Sequence, residues 1–429
     1  MLGFTGYADS APSFPSARKA RSLTQADPTT TPSTAAPILD SAVLPPLKRR
    51  RKLGIVVGVA IGCAIGAWLG NDYKDVEPGH PQLLAIISVF VLAVVVHELG
   101  HLFAGWLVGF HFTSFGIGPV VATIEHGRLK VRIRTGTGYS GYVSMQVGTI
   151  RRLRRRFLIY VVGGPGANLL SVPVMALLVN HVFPAWSHSW LAIPAGEFAA
   201  ISFFIGSLGF LPLGDGSDGQ RIAMLMKRPV AARRLLSCLA LANQYRNGVR
   251  PKLWRRTWLR AASEPRDGLK DEFSGKWAAY SSANDGKDAP LAAACLERCL
   301  EIARGRGSKV LDHSIREAAV FCAWFRQDAT LAEKWLTQVK RPRQISPLVK
   351  FRIDVAILSV RQEYAQCLEL WQKGLSFIDN MPTSPNRNLL RDQWLEWRTE
   401  IEERQQHTAG TTAAAQRQGL RNSVAQEML

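Results

Sequence analysis

The sequence predicts an all-α polytopic membrane protein. Four transmembrane helices with a small β-hairpin insert lead into a soluble C-terminal α-helical domain of tetratricopeptide-like character. Three observations predict this. Long apolar blocks fill residues 54–212, with the charged residues largely outside them. The segments between the blocks alternate in charge. Beyond residue 222 the chain is polar and helical in pattern, with a short motif recurring every 36 residues.

Residues 1–47 are rich in Pro, Ser, Thr and Ala. Such a segment buries too little surface to offset its ordering entropy, so a disordered tail is expected. The basic run Lys48–Lys52 then gives way to residues 54–70, which carry no charge. A bilayer crossing needs about 20 apolar residues, and this block is just long enough. Further spans are expected at 82–106, 157–182 and 190–212, so that a transmembrane domain occupies 48–221. No cleavable signal peptide is expected, because no early apolar run opens the chain.

The loops set the orientation. The 71–81 loop has Asp72, Asp75 and Glu77 against Lys74, the 107–156 loop has nine Lys and Arg against Glu125, and the 183–189 loop has no charged residue. Arg221, Lys227, Arg228, Arg233 and Arg234 follow the fourth span. The positive-inside rule then places both termini in the cytoplasm. The net charge of +20 is thus a topology signal with some attraction to anionic lipid headgroups. Nucleic acid is not expected as a partner, since no recognition motif accompanies the charge.

In the 107–156 loop, Leu129 to Arg134 alternates like a strand, and Tyr139 to Met145 follows after Gly136 and Gly138. The two are expected to pair as a hairpin. In the C-terminal region Leu296-Glu297-Arg298-Cys299, Ala332-Glu333-Lys334-Trp335 and Leu368-Glu369-Leu370-Trp371 recur. Their spacing suggests stacked helical hairpins, whose usual period is near 34. A cytoplasmic helical domain over 222–404 and a flexible tail over 405–429 follow. The six cysteines (Cys63, Cys238, Cys295, Cys299, Cys322, Cys367) form no C-x-x-C pair, so reduced thiols packed in helices are expected.

The second span contains His97-Glu98-Leu99-Gly100-His101, an H-E-x-x-H motif. Residues four apart share a helix face, so both imidazoles can reach one metal. Ionisable groups inside a span are costly and demand a partner or a function. Zinc fits this set: it lowers the pKa of a coordinated water towards 7, and Glu98 beside it can move the proton. Zinc also needs a third protein ligand. Asp215 and Asp218 both lie in the Gly-rich break after the fourth span, and broken backbone at membrane depth is tolerated where it lines a cavity. Asp218 is the expected ligand and Asp215 the alternative. Asn168, an intramembrane amide in the third span, is suited to donate to substrate or to an oxyanion. Glu197 lies towards the opposite side of the membrane from the metal and is given no role.

Together His97-Glu98-Leu99-Gly100-His101, Gly164 with Asn168, Gly141-Tyr142-Val143 and the Pro212 to Asp218-Gly219 segment resemble the site-2 protease family of intramembrane metalloproteases. The resemblance covers residues 82–225. It implies a three-helix core, a Zn2+ cofactor held by His97, His101 and Asp218, Glu98 as the catalytic base, and Asn168 in substrate or oxyanion contact. It further implies regulated cleavage of a membrane-spanning protein substrate at a transmembrane or juxtamembrane bond. With no targeting signal read in the sequence, the bacterial inner membrane is the expected location of this multi-pass protein. The helical domain would bind a cytosolic partner. Two positions depart from the family pattern: Gly209 stands where an Asn is usual, and Ser217 where a Leu is common. A catalytically silent membrane scaffold of the same fold, binding membrane-protein partners, is the alternative. A transporter is disfavoured, because four spans show no inverted repeat.

Overall fold

The computed structural model describes residues 38–42, 80–125, 128–133, 141–182, 192–213, 216–264, 270–305, 308–341 and 345–427. The expected first span at 54–70 lies outside them, as does the turn around Gly136 and Gly138.

Two described helices are long and apolar enough to cross a membrane. α2 (His80–Leu107), which follows a helical turn α1 (Ile38–Ser41), is apolar over Ala85–Leu107, and α3 (Leu153–Leu177) continues as a π-helical turn to Val182. A shorter apolar helix, α4 (Ala192–Gly209), has 18 residues. At 1.5 Å rise per residue it is about 27 Å long, close to the thickness of a bilayer's hydrocarbon core. Large apolar side chains stay exposed on these helices, among them Phe90, Leu92, Phe103, Leu170, Val174 and Phe203. In water such a belt would drive association; in lipid it is the expected outer surface.

Between α2 and α3 the chain forms four strands: β1 (Phe110–Ile117), β2 (Val120–Glu125), β3 (Arg128–Ile133) and β4 (Gly141–Val147). Their order in the antiparallel sheet is β3-β2-β1-β4. The expected hairpin is therefore wrong in its pairing, for its two strands lie at opposite edges of the sheet. β3 pairs with β2, Glu125 opposite Arg128, and β4 pairs with β1, Ile117 opposite Gly141. The cause is a tight turn that the pattern hides. Gly118 takes φ 54, and Ile117 faces Val120 across Gly118-Pro119. A glycine with positive φ at the first central position suits a two-residue hairpin. β1 and β2 thus become the centre of the sheet.

The sheet leans on the helices through Phe110 and Val147, which are buried with Phe157, Tyr160, Val161, Met224 and Leu225. Arg156 fixes the corner where α2 enters the sheet. Its guanidinium donates to the Val108 carbonyl, with Nε 2.6 Å away, and to the Thr149 carbonyl at 2.6 Å. A cation on the last carbonyls of a helix also favours the helix dipole.

Beyond the apolar helices come α5 (Asp218–Lys227), α6 (Pro229–Arg246), a 3-10 turn (Pro251–Leu253), α7 (Arg256–Ser263), α8 (Lys270–Asp285), α9 (Ala289–Arg304), α10 (Ser308–Arg326), α11 (Ala329–Leu336), α12 (Pro347–Val360), α13 (Tyr364–Asp379) and α14 (Pro385–Glu427). Three helix pairs, α8–α9, α10–α11 and α12–α13, turn in one manner. Lys287, Gln327 and Gln362 take φ of 61, 57 and 61. The N–H of the next residue then returns to a carbonyl of the preceding helix: Asp288 to Ala283, Asp328 to Cys322, Glu363 to Leu358. The recurring motif sits on the second helix of each pair, and its last residue is buried each time, as Cys299, Trp335 and Trp371.

Charges tie the first pair to the last helix. Arg250 bridges Asp285 at 2.5 Å and Glu396 at 2.7 Å, while Lys252 N–H and Gln393 Nε2 also donate to Asp285. The helix α14 continues to Glu427, through the stretch expected to be a flexible tail. Within the tail expected to be disordered, residues 38–42 are ordered, with Leu39 and Ala42 buried against the C-terminal helices. The described cysteines Cys238, Cys295, Cys299, Cys322 and Cys367 are all free.

Candidate metal centre

His97 and His101 lie on the last turns of α2, where that helix crosses α3 at contact distance. A Cβ on Gly100 would sit 2.3 Å from the Gly163 carbonyl oxygen, so only glycine allows the two backbones this close. One residue further along α3, a Cβ on Gly164 would sit 2.3 Å from His101 Nε2. The bare backbone of Gly164 is thus the floor on which the imidazole rests.

Asp218 arrives from the other end of the core. Ser217 caps α5, its hydroxyl accepting from Gln220 N–H at 3.3 Å. Asp218 is therefore the first residue of the helix, at the positive end of its dipole, which favours the ionised carboxylate. Gly219 holds this position in place: a Cβ there would lie 2.2 Å from the Leu211 carbonyl oxygen just past α4. The serine that departs from the family pattern is thus the residue that starts the helix.

These contacts bring three donors together. Asp218 Oδ2 lies 3.1 Å from His97 Nε2 and 3.2 Å from His101 Nε2. The ligand atoms all fall within 4.8 Å of one another, and the two imidazole planes meet at 83°. Asp215 lies outside the described residues. A tetrahedral zinc with bonds near 2.0–2.2 Å holds its donors about 3.3–3.5 Å apart, within a few tenths of an ångström of the two His–Asp separations.

The second nitrogens of the rings argue the same way. His101 Nδ1 lies 2.8 Å from the Tyr160 carbonyl oxygen, an acceptor, so Nδ1 carries the proton and Nε2 keeps a lone pair. Gly164 N–H approaches the same Nδ1 at 3.3 Å, the longer of the two contacts. With that tautomer, a bare Nε2 faces a carboxylate oxygen at 3.2 Å. Two lone pairs are tolerated at that distance when a cation lies between them. His97 Nδ1 lies 3.5 Å from the Asn168 amide, which is fully buried and whose Oδ1 has no partner among the described atoms. A half-turn of that amide gives Oδ1 the proton of His97 Nδ1 and leaves His97 Nε2 free to ligate.

Glu98 is buried, 7% exposed, and faces the sheet. It lies against the backbone of Val143 on β4, and a Cβ on Gly141 would meet its Oε1 at 2.6 Å. Tyr160 closes this side by donating its hydroxyl to the Val143 carbonyl at 2.8 Å. The sequence reading missed both contributions of Tyr160. One is a backbone carbonyl, which leaves no trace in residue type, and the other depends on strand pairing. The Ser217 cap was readable, as a Ser with Gln three residues later. Gly209, where the family usually has Asn, does face the site: a Cβ there would lie 3.6 Å from His97 Cε1.

The sequence model of Peptidase family M50 matches residues 85–394, reaching well past residue 225, where the motif resemblance stops. No curated protein and no solved structure matches the chain.

Proposed function

Because the chain belongs to peptidase family M50, the site-2 protease family of membrane metalloproteases, we propose that it is an intramembrane zinc endopeptidase. It cuts transmembrane or juxtamembrane peptide bonds of membrane-spanning proteins, in regulated proteolysis. The observation that carries this reading is the convergence of His97, His101 and Asp218 beside the buried Glu98, at the end of apolar helices.

His97 Nε2, His101 Nε2 and Asp218 Oδ2 would hold the zinc. When bound, zinc supplies a Lewis acid that acidifies the attacking water and polarises the scissile carbonyl. Glu98 takes the proton from the water and returns it to the leaving amide nitrogen, so its carboxylate is restored after each turnover. Tyr160 keeps His101 in the ligating tautomer through its carbonyl, and Asn168 does the same for His97. The Asn168 NH2 remains available to donate to the developing oxyanion.

A helical substrate hides its carbonyls, so cleavage requires an extended segment. β4 pairs on one side with β1, is an edge of the sheet, and passes beside Glu98. Strand addition along β4 would present an unwound substrate to the base. The C-terminal helix pairs act as a tetratricopeptide-like platform for a cytosolic partner. Both termini lie in the cytoplasm, with the bacterial inner membrane as the location.

The test is a comparison of membrane proteomes from cells carrying wild type and Glu98→Gln. Gln keeps the shape and leaves all three ligands in place. A single-span protein or stub that accumulates in the variant, with its cytosolic fragment seen only beside the wild type, supports the protease and identifies the substrate. Matching proteomes under several stresses would instead support a catalytically silent scaffold of the same fold.

A further inference from the structure

The segment Ile38–Ala42 is held unlike an ordinary packed turn: side chains of the C-terminal helices grip its main chain. Leu39 N–H donates to Glu297 Oε1 at 3.2 Å, and the Leu39 carbonyl accepts from Trp335 Nε1 at 3.1 Å. Lys334 Nζ donates to the Ser41 carbonyl at 3.1 Å, and Gln338 Nε2 to the Ala42 carbonyl at 2.7 Å. Arg326 pairs with the Asp40 carboxylate at 3.3 Å. Leu39 is fully buried, as are Trp335 and Cys322, whose indole N–H and thiol both approach its carbonyl. The gripping groups come from α9, α10, α11 and the turn after it, around 260–300 positions away in sequence. A helix uses its own backbone groups within itself. A bound peptide offers them to its receptor, which here meets them with a carboxylate, an indole, an ammonium and an amide.

We infer that this cleft is a peptide-recognition site occupied in cis by residues 38–42. Its ligand is a short segment with a buried leucine anchor followed by a carboxylate. Glu297, Trp335 and Cys322 read the backbone, the buried core of the C-terminal helices takes the leucine, and Arg326 reads the acid. A trans segment of the same chemistry, presented by a partner, would compete for the cleft and release the latch. The inference deepens the partner-binding role proposed for the helical domain, and its readout is binding, so it stands or falls independently of Glu98.

The test uses the full chain in detergent micelles and a fluorescein-labelled peptide of residues 33–47. The proteins are wild type, Leu39→Asp, and a variant lacking residues 1–43. An intrachain ligand competes at an effective concentration of about millimolar. The labelled peptide should therefore bind the two opened variants at least tenfold more tightly than wild type. A labelled peptide carrying Asp in place of Leu39 should not bind, and adding Trp335→Phe and Glu297→Ala to the truncated chain should weaken binding of the first peptide. The truncation leaves every cleft residue untouched and decides the matter should Leu39→Asp misfold. Absence of binding to the truncated chain, with its helical circular dichroism intact, overturns the inference. So does equal binding of the two peptides.

Discussion

The contact between Gly164 and His101 turns a metal-site argument into a number. In Gly164→Ala the new Cβ would lie 2.3 Å from His101 Nε2 and 2.7 Å from Cε1. An ordinary carbon contact is 3.4–4 Å, so the ring must retreat by about 1 Å. Metal ligands tolerate displacements of about 0.2 Å. The overpacking itself costs about 1–3 kcal/mol, and the ring can also escape it by leaving the site. Either route should lower zinc affinity at least about 100-fold, the upper range seen when groups supporting a ligand are lost. The control is Gly166→Ala on the same helix, whose nearest neighbouring atom is 3.9 Å away. That variant should keep zinc and gain a few tenths of a kcal/mol from helix propensity. Competition between purified protein and a chromophoric zinc chelator, with zinc content by mass spectrometry, measures both. Zinc affinity of Gly164→Ala within threefold of Gly166→Ala would refute the placement of His101 as a ligand.

Two further outcomes are expected. Asp218→Asn removes the anionic donor but keeps the shape. Zinc content should fall to a small fraction of wild type while circular dichroism stays the same; full zinc content would assign the third ligand elsewhere, with Asp215 the first residue to substitute. In the helical domain, the Arg250 guanidinium beside Glu396 holds that carboxyl down at about 2, burial opposing the shift. Burial pushes the Asp285 carboxyl up, but hydrogen bonds from Arg250, Gln393 and the Lys252 amide outweigh it and leave it lowered. Both groups are more acidic folded than unfolded, where they titrate near 4. Their contribution is complete at neutral pH and is lost as pH falls from about 5 towards 2. The melting temperature of the full chain should therefore drop over that window, and Arg250→Met should flatten the drop; parallel profiles would contradict the assignment.

The parts of the fold that the sequence displays are those in which burial and residue type coincide. α2 and α3 are visible because lipid-facing and core-facing positions are alike apolar. The helix pairs are visible because each repeat ends on a residue that must be buried, Cys299, Trp335 or Trp371. His97 and His101 announce themselves because two imidazoles and a carboxylate have no reason to lie in an apolar helix without a task. The sheet was misread because β3 is fully exposed and alternates in character while the central β1 does not. Only the left-handed Gly118 dictates which strands pair. The extension of α14 to Glu427 escaped notice because polar residues form helices without advertising a buried face. α1 was hidden for a different reason: a single leucine anchors it, in a segment whose composition argues for disorder, and its partners are hundreds of residues away. The Ser217 departure looked like a weakened motif in isolation; beside Gln220 it is a helix cap that places Asp218.

The distance in sequence between the proposed ligands sets the order in which the site is assembled during synthesis. His97 and His101 are 121 and 117 residues ahead of Asp218. At about 5–20 residues per second of synthesis, the H-E-x-x-H helix waits roughly 6–25 s before Asp218, the proposed third ligand, exists. During that time the nascent chain has two of the three proposed ligands, with Glu98 beside them. The last partners of the Leu39 segment emerge later still, at Gln338. A newly made chain therefore carries all three proposed ligands before its N-terminal segment has anywhere to dock. Between the emergence of α5 and that of Gln338, the three proposed ligands can meet while the cleft for the Leu39 segment is still incomplete. Ribosome stalling between residues 218 and 338 would lengthen that interval without altering the finished chain.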